Sequence, residues 1–258
     1  MTDEKKTAAA LSRDASKIKR VNQYRKTIPA LLAVLALVLV IMYIASLLFV
    51  RNGSFTVSVM DYGDKRYSLT LCERPDFKKN TSKLTAKPVE NASNISVDDL
   101  PKDLNDVDGQ HSGENFLAYT FYLQNCGTEA CTYQYKIVVS RSTLGIDAAA
   151  RVRVYYTPKY YCAATGEYDF GGSYTDYAKP ATGGNGRPEK DKYGNPLTNF
   201  TSDSVIVAQS VSDFEPKDIS KITVVIWLEG DDPDCNDDVM GGQFKADMSF
   251  EVLGGAEA

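Results

Sequence analysis

FLAYTFYL, residues 116–123, is aliphatic or aromatic everywhere except at Thr120, and no charge interrupts it. Eight such residues, rich in aromatics, read as a strand that puts Leu117, Tyr119, Phe121 and Leu123 on one side. Working outward, Phe55–Val59 and Tyr67–Leu71 alternate with period two. Further β-branched and aromatic segments follow at Thr132–Val139, Arg151–Tyr156, Ser204–Ser210, Ile219–Leu228 and Phe244–Leu253. Gly, Asp, Asn and Pro bound them, and almost no long stretch has a 3.6-residue period apart from a short helical turn at Asp147–Ala150. Eight strands joined by turn chemistry predict a mainly β chain: an antiparallel β-sandwich, jelly-roll-like, over residues 51–258. Some 200 residues suffice for one core with long loops.

The chain has 258 residues and a formal charge of −5, unevenly distributed. Residues 1–27 hold eight Lys/Arg against three Asp/Glu, residues 28–50 carry no charge, and the remainder has a net charge of −10. The uncharged stretch, IPALLAVLALVLVIMYIASLLFV, is long enough to cross a bilayer as a helix. It is too long for a signal-peptide core, and Ala45–Phe49 makes a poor cleavage site. The positive-inside rule then puts the basic tail 1–27 in the cytoplasm and residues 51–258 outside the cell membrane, a single-pass signal-anchor. Leu11, Ala15, Ile18 and Val21, with basic residues between them, suit a helix lying on anionic lipid or a tail that only sets topology. The acidic exterior disfavours nucleic acid.

An exported domain allows disulfides among its five cysteines. Cys126 and Cys131 flank the turn-like Gly127–Ala130 between two strand patterns, which predicts a disulfide closing a hairpin. Two long loops are expected, at about 73–115 and 158–203. The second is rich in tyrosine and glycine. Tyr160, Tyr161, Tyr168, Tyr174 and Tyr177 offer large contact area at low entropy cost and form the candidate partner-binding set. The competing reading is extra hairpins whose tyrosines pack on one another.

His111 is the chain's single histidine, which excludes a serine triad or an HExxH zinc site within it. No P-loop, GxSxG or GxGxxG context is present. The carboxylates leave a two-carboxylate hydrolase open, but nothing in the pattern promotes it. In IWLEGDDPDCND, residues 226–237, an apolar run ends in Glu229, Asp231, Asp232 and Asp234. Concentrated oxygen ligands at a strand end suit Ca²⁺, although the order is not that of an EF-hand. Asp before Pro233 equally suits a structural turn. No other cofactor is expected.

The FLAYTFYL run, then Asn125-x-Gly127, Arg151–Val154, VVIWLEGDDP at 224–233, Gly241–Gly242 and Met248-x-Phe250, resembles a group of Gram-positive single-pass surface proteins with an IWLEG-type motif. Their sandwich domain is similar to that of the TasA/camelysin biofilm-matrix family. The resemblance covers residues 55–253. It implies a jelly-roll at the cell surface, assembled in the fibre-forming members by strand donation. Camelysin's peptidase activity does not carry over, because this chain has no histidine-rich metal site. The chain is also expected to keep its helix, whereas fibre subunits are released by signal cleavage. The expectation is therefore a non-enzymatic, membrane-anchored binding or scaffolding module for envelope components or other surface proteins. A matrix or fibre subunit is the first alternative and a surface hydrolase the second.

Overall fold

The computed structural model describes residues 31–43, 54–60, 63–180 and 186–255. The chain divides into two compact units, Met1–Asn52 and Gly53–Ala258. In the first, residues 31–43 form a helix, α1, whose side chains are all exposed. Those residues rise only about 20 Å, against a hydrocarbon core of about 30 Å. Among the described residues no helix is long and apolar enough to cross a membrane. The rest of the 28–50 stretch, and the basic tail 1–27, lie outside the described residues.

The second unit is mainly β, with strands β1 (Phe55–Val59), β2 (Leu69–Cys72), β3 (Lys83–Ala86), β4 (Gly109–Gln110), β5 (Phe116–Asn125), β6 (Cys131–Ser142), β7 (Ala150–Cys162), β8 (Glu167–Tyr168), β9 (Tyr174–Ala178), β10 (Thr198–Asn199), β11 (Val205–Phe214), β12 (Ile219–Leu228) and β13 (Phe244–Gly255). A short helix, α2 (Ile146–Ala149), links β6 to β7. One sheet has five strands in the order β11-β6-β13-β1-β3. The other has eight, in the order β10-β9-β7-β12-β5-β2, with β4 on β5 and β8 on β7. Phe121, Tyr133, Ile137, Phe214, Met248 and Phe250 meet in the main core.

Pairing is mostly antiparallel, as expected, and two strand pairs depart from it. β1 runs parallel to β13, with Phe55 opposite Ala246 and Val59 opposite Phe250, and β10 runs parallel to β9. β1 and β13 are the first and last strands, so no tight turn forces them into a hairpin.

FLAYTFYL lies in β5, and its burial explains why the run is unbroken. Leu117, Tyr119, Phe121 and Leu123 face the main core. The intervening residues are buried too, on the opposite face. Ala118 packs with Leu100, Leu104, Val225 and Trp227, while Tyr122 packs with Tyr160 and Ile219. A strand covered on both faces reads as continuous apolar sequence. Over Ala118 and Thr120 the cover comes from residues 95–111, and over Tyr122 it includes Tyr160. Asn105 Oδ1 accepts from Thr223 Oγ1 at 2.9 Å, and the Thr120 and Thr223 hydroxyls lie 2.7 Å apart, so these buried hydroxyls are satisfied. Lys221 donates to the Asn105 carbonyl. The ring nitrogens of His111 lie 2.9 Å from the carbonyls of Gly109 and Leu104, which gives the histidine a structural place in this cover.

The two expected loops are therefore shorter than predicted. Residues 73–115 contain β3, a 3₁₀ turn at Val97–Asp99 and β4, while β7 extends through Tyr160 and Tyr161 to Cys162 before β8, β9 and β10. β3, β4, β8, β9 and β10, of two to five residues each, lie in these polar or Gly-rich segments and were not read as strands.

The Cys126–Cys131 expectation is also corrected. β5 belongs to the eight-stranded sheet and β6 to the five-stranded one, so Gly127–Ala130 crosses between sheets and closes no hairpin. Cys131 is buried in the core. Cys126 is exposed, its thiol donating to the Ser68 carbonyl at 3.3 Å. Both are free thiols. The crossover needs glycine at 127, because an added Cβ would fall 2.2 Å from the Arg66 carbonyl oxygen.

Candidate functional site

The acidic stretch lies where β12 leaves the sheet. Glu229 is buried and bridges to Ile95. Its carboxylate accepts from Trp227 Nε1 at 3.1 Å and from the Asp231 amide at 3.5 Å. Asp231 accepts from Ser96 Oγ at 3.2 Å. Asp232 is turned inward to a buried ion pair with Arg151, and its other oxygen accepts the Asp234 amide at 2.7 Å. That last bond is an Asx turn, the local reason for Asp before Pro233.

The four predicted ligands therefore do not form one set. Asp232 and Asp234 come together with Glu189, which sequence reasoning missed, and oxygens of the three lie within 4.8 Å of one another. Glu189 arrives on the segment 186–197. That segment folds back through the Lys190–Pro196 bridge, and Leu197 N–H donates to the Glu189 carbonyl at 2.8 Å. Tyr193 Oη donates to Asp98 at 2.8 Å, and Lys192 pairs with the same carboxylate. Burial, with the charges of Asp232 and Asp234, raises the pKa of Glu189, while Arg151 acts in the opposite sense. Three carboxylates at this spacing suit a hard, oxygen-seeking cation such as Ca²⁺. Arg151 already supplies positive charge to Asp232, so a cation and the guanidinium compete for the same carboxylates. No signal in the sequence links Glu189 to this site, because the fold alone closes the chain between residues 189 and 232.

Beside it, Arg153 donates to both oxygens of Asp176 at 2.6 and 2.8 Å and lies 4.0 Å from the Tyr174 ring centroid and 5.6 Å from that of Trp227. A cavity of about 20 Å³, bounded by Arg151, Asp176, Lys190, Trp227 and Glu229, has room for about one water.

The five candidate tyrosines divide among three places. Tyr177 is buried in the main core. Tyr174, on β9, packs against Tyr155 at 5.2 Å beside Arg153. Tyr160, Tyr161 and Tyr168 gather on the β7–β8 hairpin together with Phe170. Tyr160 is buried against Tyr122, and its pKa is raised by burial and then by Asp108. The outer rings are open: Tyr168 is 52% and Phe170 79% exposed. These two are nearly parallel, 17° apart with centroids 6.0 Å apart, and Tyr161 lies 4.9 Å from Tyr168. Most of the tyrosines thus pack on neighbours, as extra hairpins do, and a smaller aromatic tip remains on the surface.

A search of protein families, of characterised proteins and of solved structures finds no match to this chain.

Proposed function

We propose that this chain is a membrane-anchored cell-surface β-sandwich that acts as a binding or scaffolding module. Residues 28–50 anchor it, the basic tail is cytoplasmic, and the aromatic tip is the contact surface. One observation carries this reading. The chain enters the sandwich at Phe55, opposite Ala246 and Ala86, at the end where β6 stops and β7 begins. The aromatic tip is at the other end of β7, where Tyr161 lies opposite Ile219 and Tyr168. The tip is thus at the end of the sandwich away from chain entrance, open to envelope polymers or neighbouring surface proteins. Parallel, exposed rings supply rigid contact area at low entropy cost.

The test uses the full chain in nanodiscs, pelleted with insoluble peptidoglycan. The wild type is expected in the pellet. A Tyr168→Ala, Phe170→Ala variant with an unchanged melting temperature is expected in the supernatant. Equal behaviour of the two proteins rejects the tip as the contact surface. External protease on intact cells checks topology: it should digest the sandwich and spare the N-terminal tail.

A second reading, a matrix or fibre subunit of the TasA-like type, is favoured by β1. This short first strand is bonded on both edges and puts Phe55 and Val57 into the core. The same seat could accept β1 of a neighbouring copy. Light scattering that stays monomeric across a concentration series rejects this assembly.

A further inference from the structure

We infer that the end of the sandwich where the chain enters is a lipid-contacting surface, with Leu144 and Met240 as the inserting side chains. The inference rests on the anchor proposed above. Two tight turns lie side by side at that end. In Thr143–Ile146 the Ile146 amide donates to the Thr143 carbonyl at 3.3 Å, with Leu144 at φ 57° and Gly145 at φ 69°. Consecutive left-handed residues make a type I′-like turn, whose central positions favour Gly, Asn and Asp. A leucine there is strained, yet the residue is 58% exposed. Neither the local backbone nor the protein interior calls for leucine.

In Val239–Gly242 the Gly242 amide donates to the Val239 carbonyl at 2.9 Å, with Met240 at φ −62°, ψ 127° and Gly241 at φ 78°. This is type II geometry, and Met240, at its leading corner, is 73% exposed. The Thr143 amide donates to the Gln243 carbonyl at 3.1 Å, and the Gln243 amide donates to Thr143 Oγ1 at 2.8 Å, fastening the turns together. Two neighbouring corners therefore each present an uncovered apolar side chain.

The occupant follows from the chain's length. Val50 ends the uncharged stretch five residues before Phe55. Five residues reach at most about 18 Å, and Phe55 pairs with Ala246, close to Ser142 and Phe244 at this same end. The end of the sandwich within reach of that stretch is thus the one that exposes Leu144 and Met240. Two side chains bind lipid weakly alone, but a tether supplies high local concentration. Asp237 and Asp238 precede Met240, so the fitting surface is zwitterionic and anionic lipid weakens the contact.

The test places the full chain in phosphatidylcholine liposomes with or without acyl-chain bromines, which quench inserted tryptophan. Leu144→Trp and Met240→Trp are each expected to lose emission to the brominated lipid. Tyr168→Trp at the far end, and the wild type with its buried Trp227, are expected to keep theirs. If the protein floats with the liposomes while both inserted tryptophans stay bright, the inference is overturned, and the turns serve another partner or none. A chain that does not float overturns the anchor, and this surface with it.

Discussion

Arg151 is the cation on which the acidic end depends. Its side chain is 3% exposed, and that of its partner Asp232 is 0% exposed. Arg151→Met keeps the apolar stem and removes the charge. It leaves Asp232 buried and uncompensated, with Asp234 and Glu189 oxygens within 4.8 Å. Breaking a buried pair in this way costs about 3–5 kcal/mol. Asp232→Asn costs less, about 1–2 kcal/mol, because Asp234 and Glu189 remain to face the guanidinium. Replacing both, as Arg151→Met with Asp232→Leu, is milder than Arg151→Met alone. The assay is urea unfolding of the full chain in detergent, followed by Trp227 emission. With a slope of about 2–3 kcal/mol per molar, the Arg151→Met midpoint falls by about 1–2 M. Millimolar Ca²⁺ should restore part of that loss and do less for the wild type, since the three carboxylates then lack their guanidinium. An Arg151→Met protein no less stable than Asp232→Asn would refute this reasoning.

Glu189 gives a pH signature. Its pKa is raised by burial and by Asp232 and Asp234, so its stabilising contribution is complete below the ordinary glutamate range and is lost as pH rises through the folded value. Glu189→Gln should therefore gain on the wild type in unfolding midpoint as pH rises; a constant difference between the two refutes the assignment. Cys126 should alkylate in the folded protein. Cys131, whose thiol burial pushes up to about 11, should react only on unfolding. Peptide masses showing the two joined would refute the crossover geometry. Gly127→Ala should lower stability by about 1–3 kcal/mol, read from thermal melts, because the new methyl meets the Arg66 carbonyl.

The strands that carry the sandwich were legible. Each of the eight predicted segments overlaps a strand, and the alternation that put Leu117, Tyr119, Phe121 and Leu123 inward holds. The acidic stretch is the turn that Asp before Pro233 suggested, and carboxylate oxygens of Asp232 and Asp234 lie within 4.8 Å of each other and of Glu189. Its other members were not legible. Arg151 lies at the start of a different strand, and Glu189 lies in a Gly- and Pro-bearing segment whose composition says only that it turns. The tyrosines were visible as a group but not as three groups, since spacing alone does not separate a ring in the core, such as Tyr177, from an open one, such as Tyr168.

By itself, the sequence determined the period of each long strand, the uncharged stretch at 28–50 and the charge difference across it, because these depend on neighbours along the chain. Tertiary structure decided which strand lies beside which. It ran β1 parallel to β13, made the step from Asn125 to Cys131 a change of sheet, and brought Glu189 to Asp232. FLAYTFYL holds both kinds of information. Its apolar character is local, but one of its faces is buried by the facing sheet and the other by a cover that includes residues 95–111, and only the folded chain brings either to it. Pairing and covering are contacts between distant residues, and turn and strand residues of similar composition serve several such arrangements equally well.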